Sequence, residues 1–130
     1  MNDADINFYF DPLCPFAWLT SKWVRQVAAQ RDYTVDWRFI SLRMINADVD
    51  YDSRFPAGYE AGHTAGLRLL RVAARVRADY GRPAVGPLYE AIGTRAFDSA
   101  AAPALGSEEQ GSPEFVEPLL ERAGVARRAR

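Results

Sequence analysis

Hydrophobic residues occupy every second position near the start of the chain. Ile6, Phe8 and Phe10 stand two residues apart, and the run stops at Asp11-Pro12. A period of two is typical of a half-buried strand, and an Asp-Pro pair is typical of a turn or loop. The pattern therefore predicts a first strand that ends in a loop.

The spacing of the hydrophobic residues becomes helical directly after Pro15. The apolar positions that predict this helix are Leu19, Trp23, Val24, Val27 and Ala28. Residues three or four apart share one face of a helix, so the pattern indicates an amphipathic helix. Pro15 fits its first turn, because an N–H at that position would have no helical partner.

Alternation returns after this helix. Val35, Trp37 and Phe39 again stand two residues apart, which predicts a second strand. A strand, a helix and a strand in direct succession usually form a parallel crossover unit. We therefore expect residues 1–45 to form a β-α-β unit.

A helical block is predicted over residues 58–100, after a loop that is rich in Asp, Gly and Pro over residues 46–62. Its apolar positions are Leu69, Val72, Ala73 and Val76 in a helix that ends at Gly81, and Val85, Leu88, Tyr89 and Ile92 in the next helix. The block has helical spacing throughout, so it interrupts rather than continues the α/β pattern.

The last part, residues 101–130, is predicted to hold a linker, a short helix and a tail. The helix runs from Glu114 to Ala123 and is closed by Gly124. Residues 126–130 have no apolar face to bury, so we expect them to fray. Together the three parts predict a single α/β domain over residues 1–130.

Composition excludes several classes of function. The chain has 130 residues, 48% hydrophobic residues and a formal net charge of -1, which gives no electrostatic reason to expect a nucleic acid as partner. It starts with neither a basic region nor a long apolar run, and no later run has the length of a membrane span. We expect a cytoplasmic protein that acts on small molecules without a membrane partner.

The chemistry of the sequence centres on Cys14. It is the one cysteine in the chain, so it cannot form an internal disulfide. It is therefore a buried filler, an intermolecular linker or a reactive thiol. Its predicted place between a strand and a helix favours the reactive thiol, because a helix N-terminus stabilises the thiolate, which is the nucleophilic form.

The stretch from Phe8 to Trp18, with Cys14-Pro15 inside it, resembles the active-site opening of DsbA-family proteins that are similar to actinobacterial mycothiol-dependent nitroreductases. The resemblance implies a thioredoxin-like (DsbA family) fold and a thiol-dependent oxidoreductase, with nitroreduction as the narrower activity. It implies that Cys14 and Pro15 are catalytic. It also implies that Phe16, Ala17 and Trp18 contact the substrate or the thiol.

The same resemblance implies a low-molecular-weight thiol, mycothiol or glutathione, as co-substrate and no tightly bound cofactor. Ala17 stands where many family members have a second cysteine, so an adduct on Cys14 cannot be resolved internally. The expected chemistry is therefore a monothiol mechanism. The cis-proline loop, two strands and last helix of the family have no counterpart after Gly124, so the chain is expected to be C-terminally truncated.

Two other interpretations of the sequence remain open. One is an inactive remnant or binding module, which Ala17 and the early end favour. The other is an isomerase or an enzyme like the kappa glutathione transferases, although those relatives usually carry serine at the position of Cys14. Among the remaining residues, Trp23 is expected in the core and His63 on the solvated surface, with no metal site around it.

Overall fold

The computed structural model of the chain describes residues 4–99 and 107–125. The elements are β1 (Ile6–Phe10), α1 (Pro15–Arg31), β2 (Val35–Phe39), α2 (Leu42–Ile45), α3 (Tyr51–Arg54), α4 (Tyr59–Tyr80), a 3-10 turn (Arg82–Ala84), α5 (Val85–Gly93), a π-helical turn (Thr94–Asp98), a second 3-10 turn (Glu108–Gly111) and α6 (Pro113–Arg122). The architecture is mixed α/β, with a small sheet and mostly helices.

The β-α-β unit predicted for the start of the chain is confirmed. β1 and β2 pair in parallel, in a register that runs from Ile6 opposite Val35 to Phe10 opposite Phe39. The helix between them ends at Asp32, which adopts the left-handed conformation with φ 57° and donates its N–H to the carbonyl of Ala28. The first strand therefore delivers the chain to the start of α1 at one end of the sheet.

Two groups of buried side chains form the core. One joins α4, α5 and α6 through aliphatic residues such as Leu69, Ile92 and Leu119. The other joins the sheet and α1 to α5 through aromatic rings, among which Phe10 stacks on Tyr89 with ring centroids 4.0 Å apart. The helical block thus packs directly against the β-α-β unit and holds both strands in place.

α1 presents a different face to the core from the one expected. Its buried residues are Trp18, Ser21 and Val24, whereas Leu19 and Trp23 are 63% and 64% exposed. The expectation that Trp23 packs in the core is therefore wrong. The cause is that α1 carries two apolar stripes, and the stripe that contains Trp18 packs against Tyr89 of α5.

The later helices follow the predicted pattern with two changes. The stretch expected as loop contains the short helix α3, whose N-cap Asp50 accepts from the N–H of Asp52 at 3.2 Å, and the first turn of α4. α6 matches the predicted last helix, and Gly124 follows it with φ 78°. Residues 100–106 and 126–130, which include the tail expected to fray, lie outside the described residues.

Gly93 is a position where α5 approaches α1 too closely for a side chain. A Cβ atom built there would lie 2.2 Å from Cε3 of Trp18. We expect Gly93→Ala to lower the free energy of unfolding by about 1–3 kcal/mol, because overpacking forces ring or backbone shifts. Urea denaturation measures the change. Adding Gly93→Ala to a Trp18→Leu background should have a smaller effect, and equal effects in both backgrounds would contradict the predicted clash.

Candidate active site

Cys14 is the N-cap residue of α1. Its backbone is extended, with φ −87° and ψ 113°, and its thiol makes no capping hydrogen bond. Its own N–H donates to the carbonyl of Asp11 at 3.0 Å, and its carbonyl accepts from the N–H of Trp18 at 3.0 Å. Pro15 has no N–H, so the N–H groups of Phe16 and Ala17 are the first-turn donors left without a helical partner. The thiol is free, half-buried and next to these donors.

Asp11 fixes the loop that carries Cys14. Its side chain is 2% exposed, and its carboxylate accepts from the N–H of Leu13 at 3.0 Å and from the N–H of Leu42 at 2.9 Å. Burial raises the pKa of the Asp11 carboxyl, although the two backbone hydrogen bonds act in the opposite direction. One buried carboxylate therefore ties the loop before α1 to the start of α2.

We expect Asp11→Asn to lower the free energy of unfolding at neutral pH by about 1–3 kcal/mol, because an amide offers one acceptor oxygen where two N–H groups need one each. The raised pKa means that the native state binds the Asp11 proton more tightly than the unfolded state does. The contribution of this group to stability therefore falls as pH rises from the unfolded pKa through the native one.

The measurement is urea denaturation of both proteins across acidic to neutral pH. The difference in free energy of unfolding between wild type and Asp11→Asn should fall as pH rises, since the aspartate titrates and the asparagine does not. Equal stability at neutral pH, or a difference that does not change with pH, would contradict the account of Asp11.

A cavity of about 190 Å³ opens beside Cys14. It lies between the start of α1 and the start of α4, and the second 3-10 turn borders it. Its walls are mostly apolar, and the lining residues are Leu13, Cys14, Pro15, Phe16, Leu42, Ala57, Gly58, Tyr59, Gly62, His63 and Gln110. A small and largely apolar molecule suits such a space.

His63 lies in this cavity rather than on the open surface. Its ring is half-buried, and Nδ1 forms a hydrogen bond of 2.8 Å with the hydroxyl of Tyr51. Burial is the main cause of a lowered His63 pKa, which the nearby Asp11 partly offsets and Arg43 reinforces. The expectation of a solvated histidine is therefore wrong, because α3 folds back and brings Tyr51 against α4. The lowered pKa favours the neutral form of the ring.

The structure separates the residues that the sequence proposed as one site. Cys14, Pro15 and Phe16 line the cavity, and Phe16 is 78% exposed. Ala17 and Trp18 do not line it. Trp18 is 3% exposed, and its Nε1 donates to Asp98 at 3.2 Å, so this ring contacts the core and the π-helical turn.

Tyr59 and Gln110 also line the cavity, although neither was predicted from the sequence as a site residue. Both lie far from Cys14 in sequence and reach the cavity only through the packing of α4 and the second 3-10 turn. No local motif marks either residue. The sequence has a glycine directly before Tyr59. In the structure this residue, Gly58, adopts φ 92° at the start of α4, and Tyr59 begins the helix beside the cavity.

A larger and more open groove, of about 840 Å³, runs along β2. It contains Arg25, Arg38 and Arg82, but Asp36 accepts from Arg38 at 3.0 Å and from Arg82 at 3.1 Å. The guanidinium of Arg25 lies over the ring of Trp37 at 4.3 Å. Since this groove does not include the thiol, the smaller cavity is the candidate active site.

Two features are absent from residues 4–99 and 107–125. These residues contain no group of three or more His, Cys, Asp or Glu side chains that could hold a metal ion. Within the same residues, no helix combines the length and the apolar character that crossing a membrane requires.

Comparison with known proteins places this site in a family. The chain is 37% identical over 103 residues to the uncharacterized protein Rv2286c of Mycobacterium tuberculosis. That match covers 75% of this chain and 43% of the relative, so the chain spans less than half of the length of that protein. A family model, described as Rv2466c-like mycothiol-dependent nitroreductase, matches residues 13–108, which include Cys14 and the cavity up to α4. The chain belongs to this Rv2466c-like family.

Proposed function

We propose that the protein is a thiol-dependent oxidoreductase with a thioredoxin-like, DsbA-type arrangement, in which Cys14 is the nucleophile and a low-molecular-weight thiol such as mycothiol is the reductant. The observation that carries the proposal is the free thiol at the N-cap of α1, which opens onto the cavity of about 190 Å³. The family match supports the same chemistry. A thiol of this kind is available in the cytoplasm, which is the location that the proposal implies.

The first proposed step is attack by the Cys14 thiolate on a disulfide of a small thiol. A bond forms between the Cys14 Sγ and one sulfur, and the other sulfur leaves as a thiolate with the electron pair of the broken bond. The N–H groups of Phe16 and Ala17, which have no helical partner, lie at the same end of α1 as the attacking sulfur. The half-buried position of Cys14 leaves the sulfur accessible.

The second step needs a thiol from solution, because Ala17 supplies none. The incoming thiolate attacks the sulfur bound to Cys14, forms a new disulfide and releases Cys14 as a thiolate. His63 is placed to take the proton of the incoming thiol. Its Nε2 is an acceptor when Nδ1 donates to Tyr51, and its lowered pKa leaves the ring neutral near pH 7.

Nitroreduction is the narrower form of the proposal, and the family description supports it. Two thiols supply two electrons and two protons, one from Cys14 and one from the small thiol. The nitro group becomes a nitroso group, one oxygen leaves as water, and the two sulfurs join as a mixed disulfide that a further thiol reduces. The apolar walls of the cavity suit the ring of such a substrate.

Intact-protein mass spectrometry tests the proposal. The protein is exposed at near-neutral pH to the disulfide of mycothiol, and separately to glutathione disulfide. We expect a one-to-one adduct that added thiol removes, and no adduct on Cys14→Ser. A folded wild-type protein that forms no adduct with either disulfide would refute the proposed function.

A further inference from the structure

Gln110 is a buried polar side chain without a partner. It is 0% exposed, and neither Nε2 nor Oε1 has a hydrogen-bond partner among the residues that the structure describes. Such an amide carries two donors and an acceptor, and an unpaired buried amide destabilises the folded state. Gln110 also lines the cavity that contains Cys14. A molecule that fills this cavity up to the Gln110 side chain would supply the missing hydrogen bonds.

The backbone, rather than the side-chain amide, holds Gln110 in place. Its N–H donates to the carbonyl of Ser107 at 3.3 Å, within the second 3-10 turn. The next residue, Gly111, lies so close to α4 that a Cβ atom there would be 3.1 Å from the Cα of Ala65 and 3.2 Å from Cδ of Arg68. The turn therefore packs tightly on α4 and leaves the Gln110 amide free for another role.

We infer that Gln110 recognises a ligand with one planar ring and a carboxamide or lactam edge, in which a donor and an acceptor stand side by side. An edge of this kind pairs with both Nε2 and Oε1 of one glutamine. The inference rests on the proposed function in so far as it takes the cavity beside Cys14 as the substrate site. Gln110 would then determine which electrophile is held against the thiol.

The size of the cavity limits the ligand to a single ring. An engineered apolar cavity of about 150 Å³ in another protein holds benzene. The cavity beside Cys14 measures about 190 Å³, which leaves room for one small substituent. A whole low-molecular-weight thiol conjugate is too large for this space, so its sulfur would approach Cys14 from the open side, where Phe16 is exposed.

Benzamide and nitrobenzene distinguish this recognition from simple filling of the cavity. The two molecules are planar and similar in size, but benzamide offers a donor and an acceptor, whereas nitrobenzene offers two acceptors and leaves Oε1 unpaired. Binding to wild type and to Gln110→Met, a variant of similar side-chain length, is measured by titration of protein amide NMR signals. Gln110→Leu is a second apolar variant, and unfolding in urea reports whether each variant folds.

We expect Gln110→Met to weaken benzamide binding by about tenfold or more and nitrobenzene binding by less than about threefold. The same variant should be at least as stable as wild type, since it removes an unpaired buried amide. Equal weakening of both ligands in both variants, or no benzamide binding to wild type, would overturn the inference.

The reaction of wild-type Cys14 with methyl methanethiosulfonate, a small thiol reagent that carries no carboxamide, separates this inference from the proposed function. An inert Cys14 with intact benzamide selectivity would refute the proposed function alone. A reactive Cys14 without benzamide selectivity would refute the role of Gln110 alone.

Discussion

Cys14→Ser should reduce thiol-dependent turnover by at least about a thousandfold, because a serine hydroxyl is not ionised near neutral pH and forms no disulfide. The assay follows the loss of a nitroarene or of a small-molecule disulfide in the presence of mycothiol. The thiol of Cys14 is the one sulfur nucleophile that the chain has, so no other cysteine can replace it.

The same variant offers an internal control on folding. Serine is a preferred N-cap residue, because its hydroxyl accepts from an N–H of the first turn, whereas the Cys14 thiol makes no capping bond. We therefore expect Cys14→Ser to be as stable as wild type or more stable by up to about 1 kcal/mol in urea. Loss of turnover in a protein of unchanged stability assigns the effect to chemistry. Turnover that survives in Cys14→Ser would exclude Cys14 as the nucleophile.

Ala17→Cys should convert the protein from a monothiol to a dithiol reagent. Residues 14 and 17 lie at the N-cap and in the first turn of α1, which is the spacing of a Cys-x-x-Cys motif. A mixed disulfide on Cys14 would then be attacked from within the same turn. We expect release of the bound thiol at least about a hundredfold faster than in wild type, because the second thiol is held at high effective concentration.

The rate is followed by mass spectrometry after the adduct has formed and free thiol has been removed. Wild type should keep its adduct. The variant should lose the bound thiol and form a disulfide between residues 14 and 17, which gives a mass two units below that of the reduced variant. Ala17→Ser is the matched control, since it changes size and polarity without adding a thiol. An adduct that is equally stable in Ala17→Cys and Ala17→Ser would contradict the proposed geometry at the start of α1.

The parts of the fold that local patterns govern could be predicted from the sequence. The change from alternating to helical spacing at Pro15 placed Cys14 at the N-terminus of α1, and the alternation at Trp37 identified β2. Each of these patterns extends over a few consecutive residues. The end of α4 could be predicted as well, because a glycine commonly follows the last residue of a helix. Gly81 follows Tyr80 and has a positive φ.

The parts that depend on tertiary packing could not be predicted. α1 has apolar side chains at both Trp18 and Trp23, and only the position of Tyr89 on α5 decides which of them is buried. The residues that line the cavity could not be predicted for the same reason. His63 and Gln110 lie about fifty and a hundred positions after Cys14, and no periodicity in the chain relates residues that meet only after the helices have packed.

The most direct test of the account is the rate at which iodoacetamide alkylates Cys14 in the folded protein at mildly acidic pH, compared with the same protein unfolded in urea. The chain contains no other cysteine, so the mass of the product reports one site. If Cys14 is a reactive nucleophile, the folded protein is alkylated at least as fast as the unfolded one, because Cys14 lines an open cavity beside the unpaired N–H groups of Phe16 and Ala17. A folded protein that reacts more slowly, or only after urea is added, would contradict the claim that Cys14 is a reactive nucleophile and would favour a binding or inactive role.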